Sequence, residues 1–215
     1  MATPILLLNT KVEMQSALAA AKTITAISKA TEAVITATHD FQVGDLIVID
    51  EVAGMFEINK RVVRVKSINT TVDFTCEGLD STNWTTYVSG GTAQKVSTLL
   101  AFDNVTSFNF PEPQPNRIDV TPISSSQKIE VFGLDDAPVA TMNMNSDPLG
   151  ATIVELRKAS LAKTTRAFRV TTQTGQVLIF NAYVAGGRGF DGAVGAVATG
   201  QASMTFAAPE QWFAS

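Results

Sequence analysis

Histidine and cysteine each occur once in 215 residues, and the chain lacks both long apolar runs and blocks of like charge. The single cysteine, Cys76, rules out an intrachain disulfide framework. The lone histidine, His39, removes catalytic triads and histidine metal clusters. Nowhere do about 18 apolar residues follow one another, as a membrane-spanning helix requires. The opening MATPILLLNTKVE offers only the patch Ile5 to Leu8, with no basic leader. A soluble chain made in a cytoplasm, with no membrane insertion, is expected. In that setting the Asn-x-Thr triplets at Asn69, Asn83 and Asn104 carry no glycosylation signal. Sixteen basic against twenty acidic residues give a net charge of −4, so there is no cationic footprint for gripping a phosphate backbone.

What is present is strand material. Hydrophobic residues make up 45% of the chain, enough to bury a core in one large β domain or two smaller ones. The clearest stretch is AFRVTTQTGQVLIFNAYV, Ala167 to Val184. Phe168 and Val170 alternate with Arg169 and Thr171, then Gln173-Thr174-Gly175-Gln176 turns the chain, and Leu178, Phe180, Ala182 and Val184 alternate with Ile179, Asn181 and Tyr183. This is a hairpin, with Gly175 supplying positive φ. Its second strand is large on both faces, so another element or another copy of the chain must cover it.

Along the chain, Val12, Met14 and Ser16 alternate with Glu13 and Gln15 as in a strand, although Ala17 to Ala21 would accept a helix. From Lys22 to Val96 short β runs follow at close spacing: Ile24 to Ile27, Ala33 to Thr38, Leu46 to Asp50, Arg61 to Val65 and Val72 to Cys76. Turns are expected at Gly44-Asp45, Gly54, Asn59-Lys60 and Ser89-Gly90-Gly91, so the segment reads as an independent β module. Phe102 to Phe110 precedes a break at Pro111, Pro113 and Pro115. Arg117 to Thr121 and Gln127 to Phe132 resume the alternation, Gly133 to Pro138 turns, and Val139 to Met144 is a strand. One helix is expected, capped by Asp147 with Pro148 in its first turn, burying a stripe of Leu149, Ile153, Leu156 and Ser160 widened by Val154 and Leu161. Glu155 and Lys158 would face solvent together. The hairpin, a glycine-rich loop from Gly186 to Gly195 and a last run from Val197 to Phe206 complete the chain.

Several residues suggest chemistry and have a plainer reading. Gly187-Arg188-Gly189-Phe190-Asp191-Gly192 matches G-x-G-x-x-G, yet GAVGAVATGQASM after it reads as loop and strand, without the helix whose N-terminus a pyrophosphate needs. Cys76 in VDFTCE shares a face with Val72 and Phe74 as a small buried hydrophobe rather than a catalytic thiol. His39-Asp40 and Asp135-Asp136 read as turn residues; a metal or acid/base pair at the latter lacks a third ligand nearby. Trp84 and Tyr87 pack a small core more readily than they form a sugar platform. Arg157, Lys158, Lys163 and Arg166 gather at the helix C-terminus, complementing its dipole. No cofactor and no catalysis are expected.

Two resemblances organise these readings. GDLIVIDEVAGMFEIN, RVVRVKSI, VDFTCEGLDSTNW and YVSGGT resemble a small β module that recurs in phage virion proteins, similar also to the β half-domain beside the catalytic cysteine region of ubiquitin-activating enzymes. RIDVT, QKIEVFGLDDAP, a strand, a helix opening at Asp-Pro and a closing hairpin resemble the tail tube (major tail) proteins of long-tailed bacteriophages. The resemblance implies a mainly β fold: two packed antiparallel sheets, as a sandwich or barrel, with one flanking α-helix, plus the inserted barrel-like module. The tube domain would comprise residues 1–21 and 97–215, and the module residues 22–96. The function implied is structural: subunits assemble into stacked hexameric rings forming the hollow tail tube of the virion, through which DNA is ejected. Implied partners are further copies of the chain, a tape-measure protein, a tail terminator and tail-tip proteins, with double-stranded DNA passing unbound. Closing open sheets around a ring removes their edges by symmetry, and an acidic or neutral lumen avoids drag on DNA. Asp119 and Glu130, alternating with Ile118, Val120, Ile129 and Val131, are the lumen-facing candidates. Gly186, Gly187, Arg188, Gly189, Phe190, Asp191 and Gly192 are the candidate inter-subunit loop. The alternatives are a carbohydrate- or cell-surface-binding β module of a phage or bacterial surface protein, and an enzyme.

Overall fold

The computed structural model describes residues 8–69 and 71–214. Ile5 to Leu7 of the opening patch, and Thr70 of the first Asn-x-Thr triplet, lie outside the described residues. The strands in order are β1 (Lys11–Leu18), β2 (Lys22–Thr23), β3 (Ala26–Ile27), β4 (Val34–Thr36), β5 (Leu46–Ala53), β6 (Val62–Asn69), β7 (Asp73–Cys76) and β8 (Ser89–Phe102). After these come β9 (Val105–Asn109), β10 (Pro115–Asp119), β11 (Glu130–Asp135), β12 (Val139–Asn145), the helix α1 (Ala151–Ala162), β13 (Thr165–Thr171), β14 (Val177–Gly186), β15 (Thr199–Phe206) and β16 (Gln211–Phe213).

The fold is mainly β, with one helix, one large antiparallel sheet and a separate two-stranded sheet of β10 and β11; no barrel closes. In the large sheet the order is β3-β4-β7-β6-β5-β8-β1-β13-β14-β15-β12-β9, with β2 added to β8 and β16 to β14. The 14-residue β8 runs through the position expected to end the module: its first half pairs with β5 and β2, and Val96 to Phe102 pair with β1. The run from β8 to β9 returns on itself, because Phe102 and Val105 are joined by the Asp103-Asn104 turn while the two strands do not pair. The space it encloses holds one apolar cluster, including Val12, Met14, Met142, Leu156, Phe168, Phe180 and Phe206. Phe168 stacks on Phe180 at 5.1 Å between ring centroids, and Phe180 on Phe206 at 4.4 Å. Residues 24–93 contribute a second cluster around Ile35, Ile49, Phe74 and Cys76.

The hairpin forms as the alternation requires, with Phe168 opposite Phe180 and Gly175 at φ +84° in its turn. Both faces of β14 are covered from within the chain as far as Ala182. Leu178, Phe180 and Ala182 join the first cluster; Ile179 packs with Ala167, Leu46, Val62, Val96 and Phe213 in a third cluster, and the buried Asn181 donates from Nδ2 to the carbonyl of Lys60 at 2.8 Å. Residues of the 22–96 segment thus cover the second face at Ile179 and Asn181, while Tyr183 beyond them is 45% exposed.

The helix corrects the expected cap and stripe. Pro148 and Leu149 belong to a turn in which Gly150 donates its N–H to the Asp147 carbonyl, so the helix opens at Ala151 with Gly150 as N-cap and no side-chain cap. Leu149 is therefore exposed, as is Leu161, and the buried stripe is Ile153, Leu156 and Ala159. Lys158 is exposed, but Glu155 turns inward, within 3.3 Å of Lys158 and 3.4 Å of Arg166. Arg157 leaves the expected basic cluster, donating from Nε to the Gly187 carbonyl and from Nη2 to the Pro148 carbonyl. Two expected turns are strand instead: Ser89-Gly90-Gly91 opens β8, both glycines holding positive φ within the pairing to β5, and Gly133 to Asp135 extend β11. Val72 precedes β7 and is exposed, leaving Phe74 and Cys76 to share the buried face.

β1 carries a buried charge on the face opposite Val12 and Met14. Both Glu13 and Gln15 are 4% exposed. Gln15 Oε1 accepts the N–H of Ala167 at 3.0 Å, and Arg169 Nε donates to Glu13 at 2.6 Å, with Lys11 at 2.8 Å. Burial pushes the Glu13 carboxyl upward, but hydrogen bonds from Arg169 and Lys11 outweigh it and the group stays below its ordinary value of 4.5. A folded-state value below the unfolded one contributes stability that is present above the unfolded value and lost as pH falls through the folded one. Glu13→Gln is expected to cost about 1–3 kcal/mol at pH 7, with the deficit shrinking as the pH falls below about 4. Urea unfolding at both pH values measures it.

Candidate functional site

The surface that the chain leaves incomplete lies between β9 and β12. There residues 110–138 leave the large sheet, and β10 and β11 pair only with each other. Pro111 and Pro113 explain the departure, since they cannot donate to a ladder, while Pro115 stands at the first position of β10, where a missing N–H is tolerated. In the ribbon Ile118 lies opposite Val131, Asp119 opposite Glu130 and Arg117 opposite Phe132. One face therefore presents Ile118, Val120, Ile129 and Val131, each 45–47% exposed, and none belongs to an apolar cluster. Phe132, opposite Arg117 and 6.0 Å beneath its guanidinium, lies on the other face and is 72% exposed, and Leu134 near the strand end is 89% exposed. An isolated two-stranded hairpin is marginal in water, and a contiguous apolar face of this kind marks an interaction surface.

The opposite face is charged and internally compensated. Lys128 Nζ lies 2.5 Å from Glu130 and 4.0 Å from Asp119, and Arg117 lies 3.6 Å from Glu130. Thr121 holds the Asp119 carboxyl below its ordinary range through side-chain and backbone hydrogen bonds, and Lys128 lowers Glu130 through its side-chain hydrogen bond and its charge. The two lumen candidates are thus cross-strand neighbours on one exposed ribbon, a juxtaposition that neither run shows alone.

Beside the ribbon, β9 pairs with β12 on one edge, and no described strand occupies its other edge. Val96 to Phe102 of β8 likewise pair with β1 on one side only. Unpaired N–H and C=O groups at such edges are templates for a further strand.

The glycine-rich loop divides in two. Gly186 ends β14 against Ala202, where a Cβ would come within 2.8 Å, and Gly187, at φ +71°, lies against the backbone of Ile153 and Arg157 on α1. From Arg188 onward the loop projects: Phe190 is 72%, Val194 108% and Val197 69% exposed. Asp191 bridges to Thr199 and accepts the N–H of Gly192 at 2.8 Å, a Cβ at Gly189 would meet open space, and β15 follows rather than a helix. The phosphate-binding geometry that the motif requires does not form.

The remaining candidates are structural. Cys76 is buried in the module, and burial pushes its thiol far above the ordinary range, so the reactive thiolate is suppressed. His39 is buried, stacked on Phe41 at 4.8 Å, and its Nδ1 accepts the N–H of Phe41; Asp40 pairs with Lys22. Asp135 ends β11, with Asp136 just beyond it. The Tyr87 hydroxyl lies within 3.1 Å of the Ile24 and Gly90 carbonyls, and Trp84 packs on the module core beneath Arg61. Among the described residues no group of three His, Cys, Asp or Glu is placed to hold a metal ion. Sequence reasoning missed β16, whose Trp212 is half-exposed and whose Phe213 is buried under the Arg64 guanidinium. Three residues after Pro209 are too few for a periodicity signal.

A model of the ubiquitin-activating enzyme E1 FCCH domain matches residues 30–97. The match covers β4 to the first half of β8, supporting the similarity of this module to the half-domain of those enzymes. Comparison with curated proteins gives no match for the chain.

Proposed function

We propose that this chain is a structural subunit of a bacteriophage tail tube, assembling into stacked rings around a channel for DNA. The observation that carries the reading is the ribbon, whose apolar face, from Ile118 to Val131, is half-exposed and whose strands pair with no other strand among the described residues. The open edges at β9 and β8 supply the complementary need for strand partners, and copies related by rotation satisfy both at once. The order of phrases after residue 96 that resembles tail tube proteins supports the same reading, and ring number six follows from that resemblance.

In this arrangement the apolar face of the ribbon lies against neighbouring copies while the charged face, with Asp119 and Glu130, lines the channel. Pairing of those carboxylates with Lys128 and Arg117 gives a wall without net attraction for phosphate. Arg188 to Gly192 reach an adjacent subunit, and the module decorates the outside. The chain performs no catalysis. The other partners are a tape-measure protein within the tube, a terminator and tail-tip proteins at its ends, all in the virion tail after assembly in the host cytoplasm. Electron microscopy of the purified chain at rising concentration tests this: hollow rings or tubes are expected, and isolated compact particles at every concentration would overturn it.

A further inference from the structure

The C-terminal strand and the module border an open groove of about 370 Å3. Arg61, Asp80 and Trp84 line it from the module, and Glu210, Gln211 and Trp212 from the other side. Trp212 is 51% exposed, and a second, more apolar hollow also borders it, with Gln176 and Ala214. A large ring so exposed, at a strand end beside polar groups, is the arrangement that stacks against the C–H face of a sugar.

The polar groups fit hydroxyls. Arg61 lies over Trp84 at 5.1 Å and uses Nε on the Glu57 carbonyl at 2.8 Å, and among the described residues it enters no ion pair. Its remaining N–H groups are donors held on an aromatic platform. Asp80, whose Oδ1 already accepts the N–H of Thr82 at 2.9 Å, and Glu210 present carboxylate acceptors on the lining. One guanidinium against two carboxylates leaves the lining negative, which disfavours sialic and uronic acids. We infer that this cleft binds a neutral saccharide, with Trp212 as stacking platform and Arg61, Asp80 and Glu210 as its hydroxyl partners. Because the lining comes from both sides of the seam, neither half of the chain carries the site alone. The inference stands apart from the assembly reading, since it concerns a single copy.

The two tryptophans of the chain both line the cleft, so intrinsic fluorescence reports its occupancy directly. The intact chain would be titrated with maltotriose, mannotriose, lactose and chitotriose, and with 3′-sialyllactose as the acidic probe. A saturable emission change with at least one neutral probe, Kd about 0.1–5 mM, is expected, with 3′-sialyllactose at least about tenfold weaker than lactose. Trp212→Ala is expected to remove the saturable change with an unaltered melting temperature, and Trp212→Phe to retain binding in calorimetry. No saturable change with any neutral probe, undiminished binding by Trp212→Ala, or preference for the sialylated probe would each overturn the inference.

Discussion

Val131→Asp is expected to abolish assembly while leaving the monomer as stable as its parent. Val131 is 46% exposed and sits at the centre of the ribbon's apolar face opposite Ile118. A surface change of that kind alters stability by no more than about 0.5 kcal/mol. At an interface the same carboxylate would be desolvated without a partner, at a cost of several kcal/mol; every 1.4 kcal/mol is about tenfold in association. Ring symmetry repeats the penalty at each contact. Light scattering after size exclusion, with a thermal melt of the same sample, reads both halves of the expectation. Assembly equal to that of the parent would place the interface elsewhere.

The second large effect concerns the core. Phe180 is 1% exposed and stacked on both Phe168 and Phe206, so Phe180→Ala removes the middle ring of a three-ring column. Replacing a buried phenylalanine by alanine costs about 3–5 kcal/mol, the lost transfer free energy plus the cavity. Against a typical domain stability of about 5–15 kcal/mol, that is a large fraction. Urea unfolding at low protein concentration measures it, and Phe190→Ala, at a 72% exposed loop position, serves as the contrast with a change within about 0.5 kcal/mol. Equal losses at the two positions would contradict the assignment of the column as core.

The alternating hairpin from Phe168 to Val184 was legible because its period is local and its turn holds a glycine. The helix was legible as an element, but its start was not: Asp147 offers a capping side chain, and only the Gly150 N–H to Asp147 carbonyl bond shows that the turn closes first. The burial of Glu13 and Gln15 was not legible, because nothing local reveals that Arg169, 156 residues away, lies across the ladder. For the candidate site, the ribbon's two strands were readable as alternating runs, but their isolation was not. A half-apolar strand has the same sequence whether its face meets a core or is bare, and only the pairing distinguishes the two. The cleft at Trp212 was hidden for a similar reason, its lining being drawn from residues 61 and 212.

Sedimentation velocity of the intact chain over a wide concentration range asks most directly whether sibling copies complete the ribbon and the open edges. The prediction is a mass that climbs from 22.8 kDa to ring-sized and larger species as concentration rises. A single 22.8 kDa species throughout, with ribbon amides already protected from exchange, would contradict it.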